Sequence, residues 1–191
     1  MSPRTEKQFE EIRRVNEKII VEAALLLFSE EGYANASMQQ IAKLAKVSKG
    51  NLYNYFESKE ILLENVLQYG INQFSELYTD NQIEIQSEED FEQFVRANFE
   101  ILKDNKQFWK LYYSLLTQTK VQHLFQKIFS PFLEQYMKVF QTYFYKKGDE
   151  NPAATAMLLG SIIDGVSLGF IVMEEIYPLE DVLKKIIEKF K

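Results

Sequence analysis

Apolar residues recur three and four positions apart along almost the whole chain, and no run of four or more residues alternates as a half-buried strand does. That periodicity restricts the fold to an all-α class. In a first helix, about residues 12 to 32, Ile19, Ile20, Ala23, Ala24, Leu27 and Phe28 share one face, and Gly32 supplies the stop. Ser37 and Gln40 read as a capping box that opens a two-turn helix with Ile41, Leu44 and Ala45 inward. Ser48 caps a third helix that closes near Phe56. Ser58 caps a longer fourth, whose inner side is Ile61, Leu62, Val66, Leu67, Ile71, Phe74 and Tyr78.

The polar stretch TDNQIEIQSEED, residues 79 to 90, then interrupts the pattern. A domain boundary is expected between Asn72 and Ser87, which separates residues 1–57 and their linking helix 58–78 from a second unit, 79–191. That unit reads as helices near 88–104, 106–117, 119–129 and 131–147, the last opened by Ser130 and Pro131 because proline breaks a helix interior. A long apolar helix over about 153–175 and a final one from Pro178 through Phe190 complete it.

Composition removes several kinds of chemistry. The 191 residues suit one sizeable domain, or a small one fused to a larger. With no cysteine there is no disulfide, thiolate nucleophile or cysteine-ligated metal, and the single His123 leaves no histidine cluster. The sequence offers no nucleophile–base pair and no glycine-rich phosphate loop, so an enzyme is not expected, nor a cofactor or a metal. The polar start, MSPRTEKQFEEIRR, does not read as a secretory signal, and a cytoplasmic location is expected.

The formal charge of −6 argues against nucleic acid only until it is divided along the chain. Residues 1–60 hold nine basic and nine acidic side chains, whereas residues 61–191 hold thirteen and nineteen. Between residues 43 and 59, Lys43, Lys46, Lys49 and Lys59 face Glu57 alone. They surround KVSKGNLYNYFESKE, residues 46–60, where Val47, Leu52 and Phe56 anchor a helix although Gly50, Asn51 and Asn54 each cost up to about 1 kcal/mol against alanine. Two short helices joined by a tight turn have the layout of a helix-turn-helix. Asparagine pairs with adenine edges, tyrosine and lysine reach phosphates, and glycine lets a phosphate approach the backbone.

ASMQQIAKLAKVSKGNLYNYFESKEILL, residues 36–63, resembles the DNA-binding signature of the TetR family of bacterial transcriptional regulators, with some fifteen ordered positions in agreement. The resemblance covers residues 12 to about 67. It implies a recognition surface of Ser48, Lys49, Gly50, Asn51, Tyr53, Asn54 and Tyr55, seated by Leu52 and Phe56. It also implies a phosphate contact at Lys59 and further contacts near Met38 and Gln39, with Gln39 the better candidate for a base edge. The sequence departs from the family pattern at Lys46, where glycine is usual; a left-handed residue there costs roughly 1 kcal/mol, which a phosphate contact would offset.

Residues 91–145 hold fifteen of the 27 aromatic residues. They serve either as core or as the wall of a small-molecule pocket, and the pocket candidates are Phe108, Trp109, Tyr112, Tyr113, Phe125, Phe129, Phe132, Tyr136 and Phe140, with Asp164 from the apolar helix. That helix, AATAMLLGSIIDGVSLGFIVM, is long enough to span a bilayer, but Asp164 would lie near the membrane centre and its flanks carry no one-sided basic cluster. No membrane partner is expected. Ser161, Gly165 and Gly169, four apart, instead make a flat stripe for close helix approach. The resemblance places a homodimer interface on the last two helices, here Ser161, Gly165, Gly169, Leu183 and Ile187, with Asp164 either across the two-fold axis or in the pocket. It implies a repressor that leaves a palindromic double-stranded operator when a small apolar or aromatic effector binds. The alternatives are a regulator without such a ligand and a tail-anchored one.

Overall fold

Serine hydroxyls start the helices at the positions the sequence marks for them. In the computed structural model Ser37 Oγ accepts from the Gln40 amide at 3.2 Å while Gln40 Oε1 accepts from the Ser37 amide at 2.9 Å, and Ser48 Oγ and Ser58 Oγ each accept from a third-residue amide at 3.1 Å. The structure describes the backbone of residues 6–78 and 84–191 and the side chains of residues 7–73 and 84–191. The described residues form α1 Glu6–Glu31, α2 Met38–Leu44, α3 Lys49–Tyr55, α4 Lys59–Tyr78, α5 Glu88–Asp104, α6 Lys106–Leu115, α7 Gln122–Lys146, α8 Pro152–Met173 and α9 Leu179–Phe190, with no strand among them. The side chains of Phe74 and Tyr78, and the break proposed over residues 79–83, lie outside the described residues.

Ile20, Ala24 and Phe28 of α1, Ile41 and Ala42 of α2, Leu52 and Phe56, and Leu62, Leu63 and Val66 of α4 are buried in the first bundle. Three expected core residues are not, the first of them Ile61, 39% exposed in the first turn of α4. Ile19 is 41% exposed, one step round α1 from Ile20, and Leu44 is 44% exposed at the last turn of α2. α1 also starts six residues before its expected start, carried by the good helix formers Glu6, Lys7, Gln8, Glu10 and Glu11.

α7 corrects a second expectation, because it runs unbroken through Pro131 instead of dividing there. Proline at that position removes the bond to the Lys127 carbonyl, but both residues are exposed, so water takes the free acceptor. The apolar residues of α7 need the continuity: Phe125, Phe129, Phe132, Tyr136 and Phe140 stay on one side across the proline. Around this helix α8 packs Ala156, Leu159, Ile163 and Val166 inward, and α9 lies against α5 and α8. By length and hydropathy the segment Pro152–Ile176 meets the requirement for a membrane span, yet its inner face is part of this core. Leu183 and Ile187, expected at an interface, are 2% and 3% exposed and fill the core between α9 and its neighbours, so they offer nothing to a second chain.

The first bundle touches the larger one through α1 on α6 and α4 on α7. Gly70, inside α4, marks a close approach. A Cβ added there would overlap three ring atoms of Phe108, the most distant of them at 2.5 Å, so only glycine lets that ring lie against the α4 backbone.

Candidate functional site

The exposed side of α3 carries Lys49, Gly50, Tyr53 and Asn54, with Asn51 half-buried at its edge and open space where a Cβ would stand on Gly50. Leu52, fully buried, and Phe56 hold the helix from behind. Gln39 is exposed on α2, whereas Met38 beside it is buried and makes no outward contact. Lys46 has φ +56°, the left-handed conformation in which glycine is favoured. It is the residue after the α2 C-cap in a Schellman turn: its amide bonds the Lys43 carbonyl at 3.2 Å, and the Val47 amide reaches the Ala42 carbonyl at 3.0 Å. That turn sets the angle between α2 and α3, and it leaves the Lys46 side chain exposed, as Lys43 is.

Two residues expected on this surface are employed elsewhere. Tyr55 is half-buried and its hydroxyl accepts from Asn16 Nδ2 of α1 at 3.0 Å, so it ties α3 to α1. Lys59 Nζ donates to the carbonyls of Tyr33, Ala34 and Ala36 at 2.7, 3.3 and 2.8 Å and lies 4.5 Å from the Tyr33 ring centroid. An ammonium has three N–H bonds, and all three are taken. Partial burial lowers its pKa, as it does for a lysine withdrawn from water. Lys59 is therefore a clamp on the turn between α1 and α2, with no donor left for a phosphate.

Between α5, α6, α7 and α8 lies a cavity of about 240 Å³. Of the expected pocket residues, Trp109, Tyr112, Phe129, Phe132, Tyr136 and Asp164 line it. Phe108, Phe125 and Phe140 do not; they are 2%, 8% and 0% exposed and build the core behind the wall, with Phe125 stacked on Phe129 at 4.3 Å between centroids. Tyr113 is not in the lining either, and braces it by donating its hydroxyl to the Asp164 carbonyl at 3.2 Å. The sequence reading missed Asn98, Phe99 and Leu102 from α5, Leu133 and Met137 from α7, and Met157, Gly160, Ile163 and Ser167 from α8. Helical spacing from Asp164 would have found the α8 members, since Met157, Gly160, Ser161 and Ser167 lie three, four or seven residues from it.

Asp164 stands at the open side of this cavity. The dense surroundings desolvate its carboxyl and raise its pKa, and burial raises the pKa of Tyr112 and Tyr113, followed in each case by the charge of Asp164. Ser161, expected at an interface, lines the cavity on its exposed side. Gly165 is open to solvent, while Gly169 is covered by this chain's own Tyr177, whose Cε2 would come within 2.7 Å of an added Cβ. The outer face of α8 instead exposes Met157, Leu158, Leu168 and Val172, at 59%, 52%, 42% and 71%. His123 is exposed on α7, away from the cavity lining.

Residues 20–66, from mid-α1 to mid-α4, match the family described as bacterial regulatory proteins, tetR family. Over 53 residues the chain is 55% identical to the uncharacterized HTH-type transcriptional regulator YuxN of Bacillus subtilis, which covers 28% of this chain and 18% of that protein. Across four curated relatives the match spans between 18% and 59% of their own lengths. The whole fold is similar to that of the fatty acid degradation regulator FadR of Bacillus halodurans, with a TM-score of 0.78 and 20% identity over 92% of this chain and 94% of that one. It is also similar to Bacillus subtilis FadR in complex with stearoyl-CoA, at TM-score 0.70 and 22% identity over 91% and 96%. At these identities the likeness concerns the fold alone.

Proposed function

Because the chain belongs to the TetR family of bacterial transcriptional regulators, we propose that it binds operator DNA as a cytoplasmic homodimer and leaves it when a small apolar or aromatic effector occupies the cavity. The observation that carries the DNA reading is the exposed face of α3. Gly50, Tyr53 and Asn54 are poor choices for a solvated helix and, with Lys49, good ones for phosphates and base edges, and Lys43 and Lys46 are exposed close by in sequence. Residues 1–57 are the reading domain, 58–78 the link and 79–191 the effector and pairing domain. Two reading helices roughly 34 Å apart enter successive major grooves of one palindrome.

The exposed apolar stripe Met157, Leu158, Leu168 and Val172 on α8 supports pairing of two chains there, beside Gly165. An effector that binds better to a conformation with the reading helices displaced lowers operator affinity by the coupling energy between the sites. Fragments selected from random DNA by the purified protein test the reading: enrichment of an inverted repeat with half-sites one helical turn apart is the expected result. Recovery of no consensus, or of an unrepeated one, would overturn it.

A further inference from the structure

The cavity among α5–α8 has an uneven distribution of charge. Its wall is aromatic and aliphatic, with Phe99, Trp109, Tyr112, Phe129, Phe132 and Tyr136 presenting rings, and among the described residues no lysine, arginine or histidine belongs to it. Asp164 is the one ionisable group of the lining apart from its tyrosines, and desolvation alone moves its pKa, with no cation or hydrogen-bond donor among the causes. An anionic guest would meet a carboxylate with nothing of opposite sign nearby. A cationic one would meet that carboxylate and the negative faces of several rings.

We propose that the effector of this protein is a lipophilic cation, an ammonium whose charged head lies at Asp164 and whose apolar body fills the space among Phe99, Trp109, Phe129 and Tyr136. The inference rests on the cavity being the effector site. Size agrees with it: the 240 Å³ exceeds the roughly 150 Å³ of an apolar cavity that takes up benzene, so a substituted benzene is accommodated. The coenzyme portion of an acyl-CoA, which Bacillus subtilis FadR binds, carries phosphates, and among the described residues this lining has no cation to balance their charge. Ser161 and Ser167 add hydroxyls close to Asp164 along α8, and Tyr113 fixes the backbone from which the carboxylate projects.

Three probes of matched shape separate the charge from the volume: benzyltrimethylammonium, its neutral carbon isostere neopentylbenzene, and benzylsulfonate. Trp109 is the sole tryptophan and lines the cavity, so its emission reports occupancy in the full-length protein, with calorimetry as a second readout. The cation is expected to bind at least about tenfold more tightly than the neutral isostere, and the sulfonate weakest of the three. In Asp164→Asn, shown to be folded by its circular dichroism melt, that preference falls to within about twofold, and in Asp164→Glu it persists. Equal affinity of cation and isostere, a sulfonate that binds best, or a preference that survives Asp164→Asn would each overturn the assignment while leaving the cavity as the effector site. Binding of none of the three would overturn the effector-cavity reading itself.

Discussion

Replacing Gly70 by alanine tests whether the two bundles are joined by one tight contact. On an exposed helix the change would stabilise the protein by about 1 kcal/mol, because glycine is the poorer helix former. Here the added Cβ would meet the Phe108 ring with its most distant conflicting atom at 2.5 Å, against an ordinary carbon contact of about 3.5–4.0 Å, so ring and helix must part by about 1 Å or more. The ring cannot yield freely: Phe108 is 2% exposed, edge-on to Trp109 at 5.6 Å and stacked on Phe129 at 6.3 Å between centroids. Overpacking of this kind costs about 1–3 kcal/mol, so the propensity gain leaves a net loss near 1 kcal/mol, or about 2–4 °C in melting temperature for a chain of this size. Urea or thermal denaturation of Gly70→Ala, Phe108→Ala and the double variant gives the coupling. Phe108→Ala alone costs about 3–5 kcal/mol, and the double variant is expected to be more stable than the sum of the singles by about 0.5–2 kcal/mol. A Gly70→Ala protein that melts higher than the parent, with additive energies, would show that α4 and α6 do not touch as described.

Lys46→Gly is expected to stabilise the fold by about 1 kcal/mol in chemical denaturation by relieving the left-handed turn, and to reduce the salt dependence of DNA binding by about one counterion per site; unchanged stability would refute the strain. Lys59→Met is expected to lower stability by about 1–3 kcal/mol through three lost hydrogen bonds, while the slope of DNA affinity against salt stays the same; a shallower slope would restore Lys59 to the phosphate backbone. Asp164 has a raised pKa in the fold, so its contribution is fully present below the ordinary value of 3.8 and is lost as pH rises through the folded value. Asp164→Asn should thus melt higher than the parent at neutral pH, and the difference should vanish below that value; a constant difference would refute the desolvation account. If two chains pair through α8 as proposed, Leu158→Glu with Leu168→Glu is expected to sediment as a monomer, and a dimer that survives both changes would place the contact elsewhere.

What was legible in the sequence was local. Ser37, Ser48, Ser58 and Ser87 each announce a helix because a cap depends on two residues three apart, a relation that needs no tertiary context. Pro131 was misread because the rule for proline counts one lost hydrogen bond and omits the row of rings that a broken α7 would misplace. Spacing showed that Leu183 and Ile187 are covered, but periodicity is silent on whether the cover comes from the same chain or another. Aromatic density pointed to the cavity, but not to which ring lines it: Phe108 and Trp109 are adjacent, about 100° apart on α6, and only the second reaches the space. The occupation of Lys59 was not legible because the motif transfers a position, whereas the three carbonyls that accept from its ammonium come from a turn some twenty-five residues earlier.

The Lys59 clamp also determines what moves with α4. From Gly70 back to Lys59 the helix rises about 16 Å, so a tilt of about 10° at the Phe108 contact sweeps its first turn through about 3 Å. The start of the helix is also packed into the first bundle through Leu62, Leu63 and Val66. Hooked to the carbonyls of Tyr33, Ala34 and Ala36, it drags the α1–α2 turn along, and a sweep close to the 3.4 Å step between base pairs is enough to put a reading helix out of register with its groove. A tilt of α4 would thus work as a short lever arm, with Gly70 as its fulcrum and Lys59 as its hook.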